Sequence, residues 1–316
     1  MSSVLISGGS GFIGSHLVDM FLARDFRVIV LDNLLTGARK NLARHAGDDR
    51  LRFIEQDCAL PLALDEPVHY VMHFASPASP VDYMRHPLET LRVGSVGTER
   101  MLEHARVHGA RFLLASTSEV YGDPLVHPQT ESYYGNVSTI GPRSVYDEAK
   151  RFAETVTMAY HRTHGVNTAI IRIFNTYGPR MRLNDGRAIP NFLYQALTGK
   201  PLTVYGDGSM TRSFCYVRDL VDGIWRMLMS EEHDPVNLGN PVEYTVLELA
   251  QRILAMTGST CPLVYQPAMA DDPKLRRPDI TRATTLLGWA PTIGLEQGLA
   301  WTIEAFQREL GEMVEA

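Results

Sequence analysis

The run Val4-Leu5-Ile6-Ser7-Gly8-Gly9-Ser10-Gly11-Phe12-Ile13-Gly14-Ser15-His16-Leu17 restricts the fold more than any other part of the chain. Apolar, β-prone residues lead into a glycine turn, and helical periodicity follows at once. Gly9, Gly11 and Gly14 satisfy G-x-G-x-x-G, and Gly8, Gly11 and Gly14 also satisfy G-x-x-G-x-x-G. Glycine is needed where the backbone turns sharply and must approach a pyrophosphate closely. The helix that follows then presents uncapped N–H groups and the positive end of its dipole. The pattern is a βα unit built around a phosphate-binding turn.

The rest of the first half repeats that alternation. Residues 4–7, 26–31, 51–54, 70–74, 112–115 and 168–174 read as strands, apolar on both sides of the pleat as buried parallel strands are. Helical patterns at 14–23, 96–108 and 144–164 lie between them. The expectation is α/β, a Rossmann-type doubly wound parallel sheet. Beyond Asn175 the texture becomes turn-rich, with later helices at 245–256 and 295–310. This half reads as a smaller C-terminal substrate-binding lobe, with residues 219–229 and 235–238 returning to the sheet. The division is then 1–174 plus about 213–239 for the nucleotide-binding part, and about 175–212 plus 240–316 for the lobe.

The second strand ends at Asp32, 18 residues after Gly14. An acid there accepts the hydroxyls of an adenine ribose and repels a 2′-phosphate, which favours NAD over NADP. The cofactor-binding candidates are Gly8, Gly11, Phe12, Ile13 and Gly14, then Asp32 and Asn33, Asp57 after the third strand, and Ala75 after the fourth. For Asp57, spacing leaves open whether it holds the adenine amino group or is a solvated strand-end acid.

Composition narrows the class. At 316 residues, 45% hydrophobic and 21% charged, the chain has a globular balance and is neither disordered nor collagen-like. Cys58, Cys215 and Cys261 are far apart, which gives no disulfide framework or metal site and points to a reducing compartment. A net charge of −6 argues against a nucleic-acid partner. The longest apolar runs fall far short of the ~20 residues that span a membrane. The first strand starts too early to leave room for a secretory signal. A cytoplasmic protein is expected. The average hides a local bias, because the stretch from Arg172 to Arg187 holds four arginines and one acid.

Two further elements carry chemistry. In Tyr146-Asp147-Glu148-Ala149-Lys150, Tyr146 and Lys150 share a helix face, and a neighbouring cation lowers a phenol from its reference pKa of ~10. On that reasoning Tyr146 is a base near neutral pH. The Ala115-Ser116-Thr117-Ser118-Glu119 segment follows the fifth strand, so its hydroxyls and carboxylate emerge at the ligand-binding edge of the sheet.

The glycine turn, this cluster and YxxxK together resemble the extended short-chain dehydrogenase/reductase superfamily. Within it, residues 73–80, 114–124, 174–180, 184–187, 202–217 and 271–280 look like the UDP-glucuronate decarboxylases, a similarity running from Val4 to about Phe306. Ser118-Glu119 and Arg276-Arg277-Pro278-Asp279 are the most discriminating pieces. The resemblance implies an NAD cofactor, a UDP-sugar substrate and a homodimer. It implies that Thr117 binds the sugar 4-hydroxyl and that Ser118 stands where related 4,6-dehydratases carry an acid. A dehydratase must protonate a departing C6 hydroxyl, whereas a decarboxylase loses CO2 and needs no such acid. It also implies that Arg276 meets the substrate carboxylate, and that Glu119, Ser118 and Arg276 steer decarboxylation and reprotonation at C5. Asn175, Arg187, Asn191, Tyr205 and Arg212 are then the remaining substrate-binding candidates.

The chain departs from the family pattern at Met210 (usually Gln), Tyr134 (usually Trp), Ser138-Thr139 (commonly Asn-Pro) and Ala149 (frequently Gly). Met210 and Tyr134 are the two expected to alter pocket shape and closure. The alternatives are a relative that releases UDP-4-keto-pentose and NADH, a 4,6-dehydratase or epimerase, and a non-catalytic NAD-binding sensor.

Overall fold

The structure is a computed structural model that describes residues 1–267 and 275–315. Part of the 271–280 stretch, residues 271–274, therefore lies outside the described residues.

Seven parallel strands form the central sheet: β1 (Ser3–Ser7), β2 (Arg27–Asp32), β3 (Leu51–Glu55), β4 (Tyr70–His73), β5 (Arg111–Thr117), β6 (Thr168–Ile173) and β7 (Val236–Leu238). Their order is β7-β6-β5-β4-β1-β2-β3. The chain moves outward from β1 to β3, crosses back to β4, and then builds in the other direction. The crevice between β1 and β4 is the switch point at which doubly wound sheets bind ligands. The expected Rossmann-type α/β fold is the one observed, with strand ends shifted by a residue or two.

Alternation along β1 fills two cores at once. Val4 and Ile6 pack on one face with Leu17, Phe21, Leu220 and Ile224, while Leu5 packs on the other with Ile29, Val71, Phe112 and Met101. The first face is covered by helices Phe12–Leu22 and Val217–Met229, the second by Thr98–His108 and Ser144–His164. Helix Ser144–His164 contains no glycine or proline. Arg162 in its last turn complements its dipole. The helix expected at 96–108 begins instead with a wide π-type turn at Val93–Gly97. There a Cβ on Gly94 would lie 2.7 Å from that of Ala149, so the absence of a side chain at 94 accommodates the methyl group at 149.

A further hydrophobic cluster joins Tyr177, Ile189, Phe192, Leu249, Ile253, Leu295, Leu299 and Phe306. It unites helices Ala188–Leu197, Val246–Thr257 and Leu295–Glu315. Strand β7 pairs with β6, and Ala283, Leu287 and Trp289 bury against the sheet's own core. No helix among the described residues is long and apolar enough to cross a membrane.

Candidate active site

A cavity of about 810 Å³ opens at the carboxyl edge of β1, β4 and β5, and a smaller recess shares Gly8, Gly11 and Phe74 with it. In the turn after β1, Gly8 has φ +76°, and a Cβ there would lie 2.6 Å from the Ala75 nitrogen. A Cβ on Gly14 would lie 2.1 Å from the Gly8 carbonyl oxygen. The turn is thus packed backbone against backbone. Helix Phe12–Leu22 starts beside it with no side-chain cap and no acid in its first turn, so its N-terminal end is left for an anion.

Asp32 ends β2 with its carboxylate accepting from the Ser10 N–H at 3.0 Å and the Leu34 N–H at 2.8 Å. It lines the recess with Asn33, Asp57, Cys58 and Ala75. One Asp57 oxygen accepts from the Ala59 N–H at 2.8 Å. A glycine cradle, an uncapped helix start and a ribose-height acid form a donor set that fits a nicotinamide dinucleotide.

The other catalytic candidates meet at the end of β5. Thr117, Ser118, Glu119, Tyr146, Lys150 and Arg276 all line the larger cavity, as do Asn175, Arg187, Asn191, Tyr205 and Arg212. Lys150 donates to the Ala115 carbonyl at 2.9 Å, and its ammonium lies 5.8 Å from the Tyr146 ring centre. Burial lowers the Lys150 pKa to about 8. Burial also pushes the Tyr146 phenol above its ordinary value, opposed by its hydrogen bond with Thr117. The lowering of the Tyr146 phenol expected from a neighbouring cation is outweighed here by loss of hydration, the Lys150 ammonium being committed to a backbone carbonyl.

Ser116 also lines the cavity, but its hydroxyl is committed elsewhere. Its hydroxyl donates to Glu154 at 2.5 Å, and Arg172 pairs with the same carboxylate, tying β5 and β6 to helix Ser144–His164.

Glu119 forms the charged corner. One oxygen, Oε2, accepts from Arg143 at 2.7 Å and from Arg276 at 3.2 Å, and Arg276 also donates to the Ser118 carbonyl at 2.6 Å. Burial favours the neutral acid, but Arg276 and Arg143 outweigh it and hold the carboxyl well below the usual range. Glu119 is thus ionised at neutral pH.

Sequence reasoning missed three neighbours. Tyr83 is buried, lines the cavity and stacks on Tyr146 with ring centres 5.3 Å apart. Its hydroxyl has no hydrogen-bond partner among the described residues. Arg143 precedes the helix that carries Tyr146. Asp147 is buried, and burial together with the Glu119 charge raises its carboxyl toward neutrality. All three act across tertiary contacts, so no local motif marks them.

Of the two departures expected to reshape the pocket, Met210 lines the cavity, whereas Tyr134 is 90% exposed and leaves the pocket untouched.

Comparison with known proteins agrees with this geometry. The model of the NAD-dependent epimerase/dehydratase family matches residues 4–239. The UDP-glucuronic acid decarboxylase 1 of Danio rerio is 50% identical over 307 residues, covering 97% of this chain and 73% of that protein. A dTDP-glucose 4,6-dehydratase from Streptomyces venezuelae, solved with NAD bound, superposes with TM-score 0.90 at 30% identity, covering 98% of each chain. A UDP-glucuronic acid 4-epimerase from Bacillus cereus, solved with UDP-glucuronic acid and NAD, gives 0.87 at 26%, covering 97% of this chain and 99% of that one. The chain belongs to the NAD-dependent epimerase/dehydratase family.

Proposed function

We propose that the protein is an NAD-dependent decarboxylase that converts UDP-glucuronate to UDP-xylose through a UDP-4-keto sugar. The observation that carries this reading is Arg276. A guanidinium 2% exposed, held by Glu119 and the Ser118 carbonyl beside Thr117, equips the reacting end of the cavity for a carboxylated sugar. About half the residues are shared with the curated decarboxylases across nearly the whole chain, which supports the same reading.

The glycine turn holds the pyrophosphate, Asp32 the adenine ribose, and Lys150 the nicotinamide ribose. When bound, NAD supplies reversible hydride exchange at C4 and a cationic ring that favours the Tyr146 phenolate. Tyr146 takes the proton from O4 while Thr117 orients that oxygen. The C4 ketone lies β to the carboxylate, so CO2 leaves with its bonding electrons collecting as an enolate. A solvent proton adds at C5, and return of the hydride to C4 and of the proton from Tyr146 to O4 completes UDP-xylose. Arg276 orients the carboxylate before it leaves, and ionised Glu119 keeps that guanidinium in place. Ser118 contributes no acid, consistent with a reaction that has no leaving hydroxyl. Asn175, Arg187, Asn191, Tyr205 and Arg212 line the path for the UDP moiety, Arg212 and Arg187 facing its phosphates.

The reading includes a division of the chain. Residues 1–174 with about 213–239 hold the cofactor and the rest holds the substrate, except that 281–289 joins the sheet. It also includes a cytoplasmic homodimer. Exposed Met84, Leu88, Leu91, Val107 and Phe152 lie on the helices of one side of the sheet, where a second copy covers them. Sedimentation at a single mass of one chain would remove the dimer.

The reading is tested by incubating the protein with UDP-glucuronate and following CO2, product mass and NADH absorbance. UDP-xylose without accumulating NADH is the expected result. Met210, standing in the cavity wall at a departure from the family pattern, favours a second reading in which the keto-pentose escapes. UDP-4-keto-pentose with stoichiometric NADH would establish that reading, and no CO2 release would sink both.

A further inference from the structure

We propose that Arg143 is a second carboxylate-reading guanidinium of the substrate site, and that with Arg276 it sets the preference for a hexuronate over a neutral hexose. The proposal rests on the reading of the cavity as a UDP-glucuronate site.

Arg143 and Arg276 come from distant parts of the chain and converge on one oxygen, Glu119 Oε2, at 2.7 and 3.2 Å. Both line the cavity. Arg276 is 2% exposed and anchored by the Ser118 carbonyl, whereas Arg143 keeps 14% of its side chain exposed. Arg143 is also fixed relative to the catalytic base. It precedes helix Ser144–His164 by one residue, and its charge acts on Tyr83, whose ring stacks on Tyr146.

Sugar geometry supplies the rest. C6 is two bonds from C4, so a hexuronate with O4 at Thr117 and Tyr146 brings its carboxylate beside Glu119. Two carboxylates at that separation repel unless cations lie between them. A guanidinium offers five N–H donors in a planar fork, so each arginine can keep Glu119 and donate to the incoming carboxylate as well. A neutral hexose has no such group, and its affinity should not depend on Arg143.

The test is calorimetric titration of NAD-loaded protein with UDP-glucuronate, UDP-glucose and UDP, in a Tyr146→Phe background that stops turnover. Adding Arg143→Gln should weaken UDP-glucuronate about 10- to 100-fold, the usual worth of a charge-assisted hydrogen bond, while UDP-glucose and UDP stay within about twofold. Arg143→Lys should recover part of the lost preference, since it keeps the charge but not the fork. Equal weakening of all three ligands would show a merely structural role, and unchanged UDP-glucuronate affinity would show no contact. Either outcome overturns the proposal. If Arg143→Gln fails to load NAD, Arg143→Lys decides alone: a selective loss for UDP-glucuronate supports the proposal, and none overturns it. A Tyr146→Phe parent that binds UDP-glucose as tightly as UDP-glucuronate would instead bring down the reading of the cavity itself.

Discussion

The two halves of the cavity are built from different materials. The cofactor half is shaped by backbone, where Gly8 and Gly14 let main chain touch main chain and a helix start is left uncapped. The substrate half is shaped by charged side chains that satisfy one another. Arg180 pairs with Asp19, Arg182 with Asp82, Arg187 with Asp185, and both Arg143 and Arg276 with Glu119. A cofactor can settle into the first half without rearranging it. A substrate anion must share or exchange existing ion pairs in the second, so affinity there depends on how each pair is rearranged.

The sharpest break between the halves is Gly14→Ala. Its methyl group would lie 2.1 Å from a carbonyl oxygen, and neither atom belongs to a flexible side chain. Loss of NAD loading, measured by cofactor content after denaturation, is the expected outcome, and normal loading would refute a backbone-built cradle. Next is Tyr146→Phe, which should cut turnover by roughly 10²- to 10⁴-fold, the usual contribution of a positioned base, with NAD content retained. Glu119→Gln probes the charged half through stability. It leaves the Arg276 guanidinium buried without its countercharge and should cost about 3–5 kcal/mol in denaturant unfolding. A loss below 1 kcal/mol, the size of an exposed ion pair, would mean the corner is more solvated than it looks.

Smaller effects appear in pH. Glu119 has its carboxyl lowered in the folded state, so the stability it contributes is present above its ordinary value of 4.5 and is lost as pH falls below it. Asp147 has the opposite sign. Its carboxyl is raised above its ordinary 3.8, so stability declines as pH rises from about 4 toward neutrality. Asp147→Asn should flatten that neutral-side decline in a series of melts, and an unchanged profile would remove Asp147 from the network. The smallest effect is expected at Lys40–Glu309, an ion pair that ties the loop after β2 to the last helix with the lysine 64% exposed. Lys40→Ala should change stability by less than about 1 kcal/mol.

The same contrast explains how much was legible beforehand. The cradle is contiguous in sequence, so Gly8 to Gly14 and Asp32 announced both the fold and the cofactor. Tyr146 and Lys150 share a helix face and were equally plain. The cavity lining from Asn175 to Arg276 was legible only through resemblance, because its residues come from separate segments with no common period. Tyr83, Arg143 and Asp147 were not legible at all, since stacking and charge pairing across elements leave no spacing signature. Lys150 and Glu119 were found, but the upward push of burial on the Tyr146 phenol was not, because burial and partner geometry do not appear in a sequence. The stretch from 172 to 187 is locally basic in sequence, yet each of its four arginines pairs with an acid in the fold.

The most direct test of the account follows the hydrogen at C4. UDP-glucuronate carrying deuterium at C4 should yield UDP-xylose with the deuterium still at C4, since hydride leaves and returns within one closed cavity. Release of UDP-4-keto-pentose with the deuterium in free NADH, or a labelled epimer that keeps its carboxylate, would contradict it.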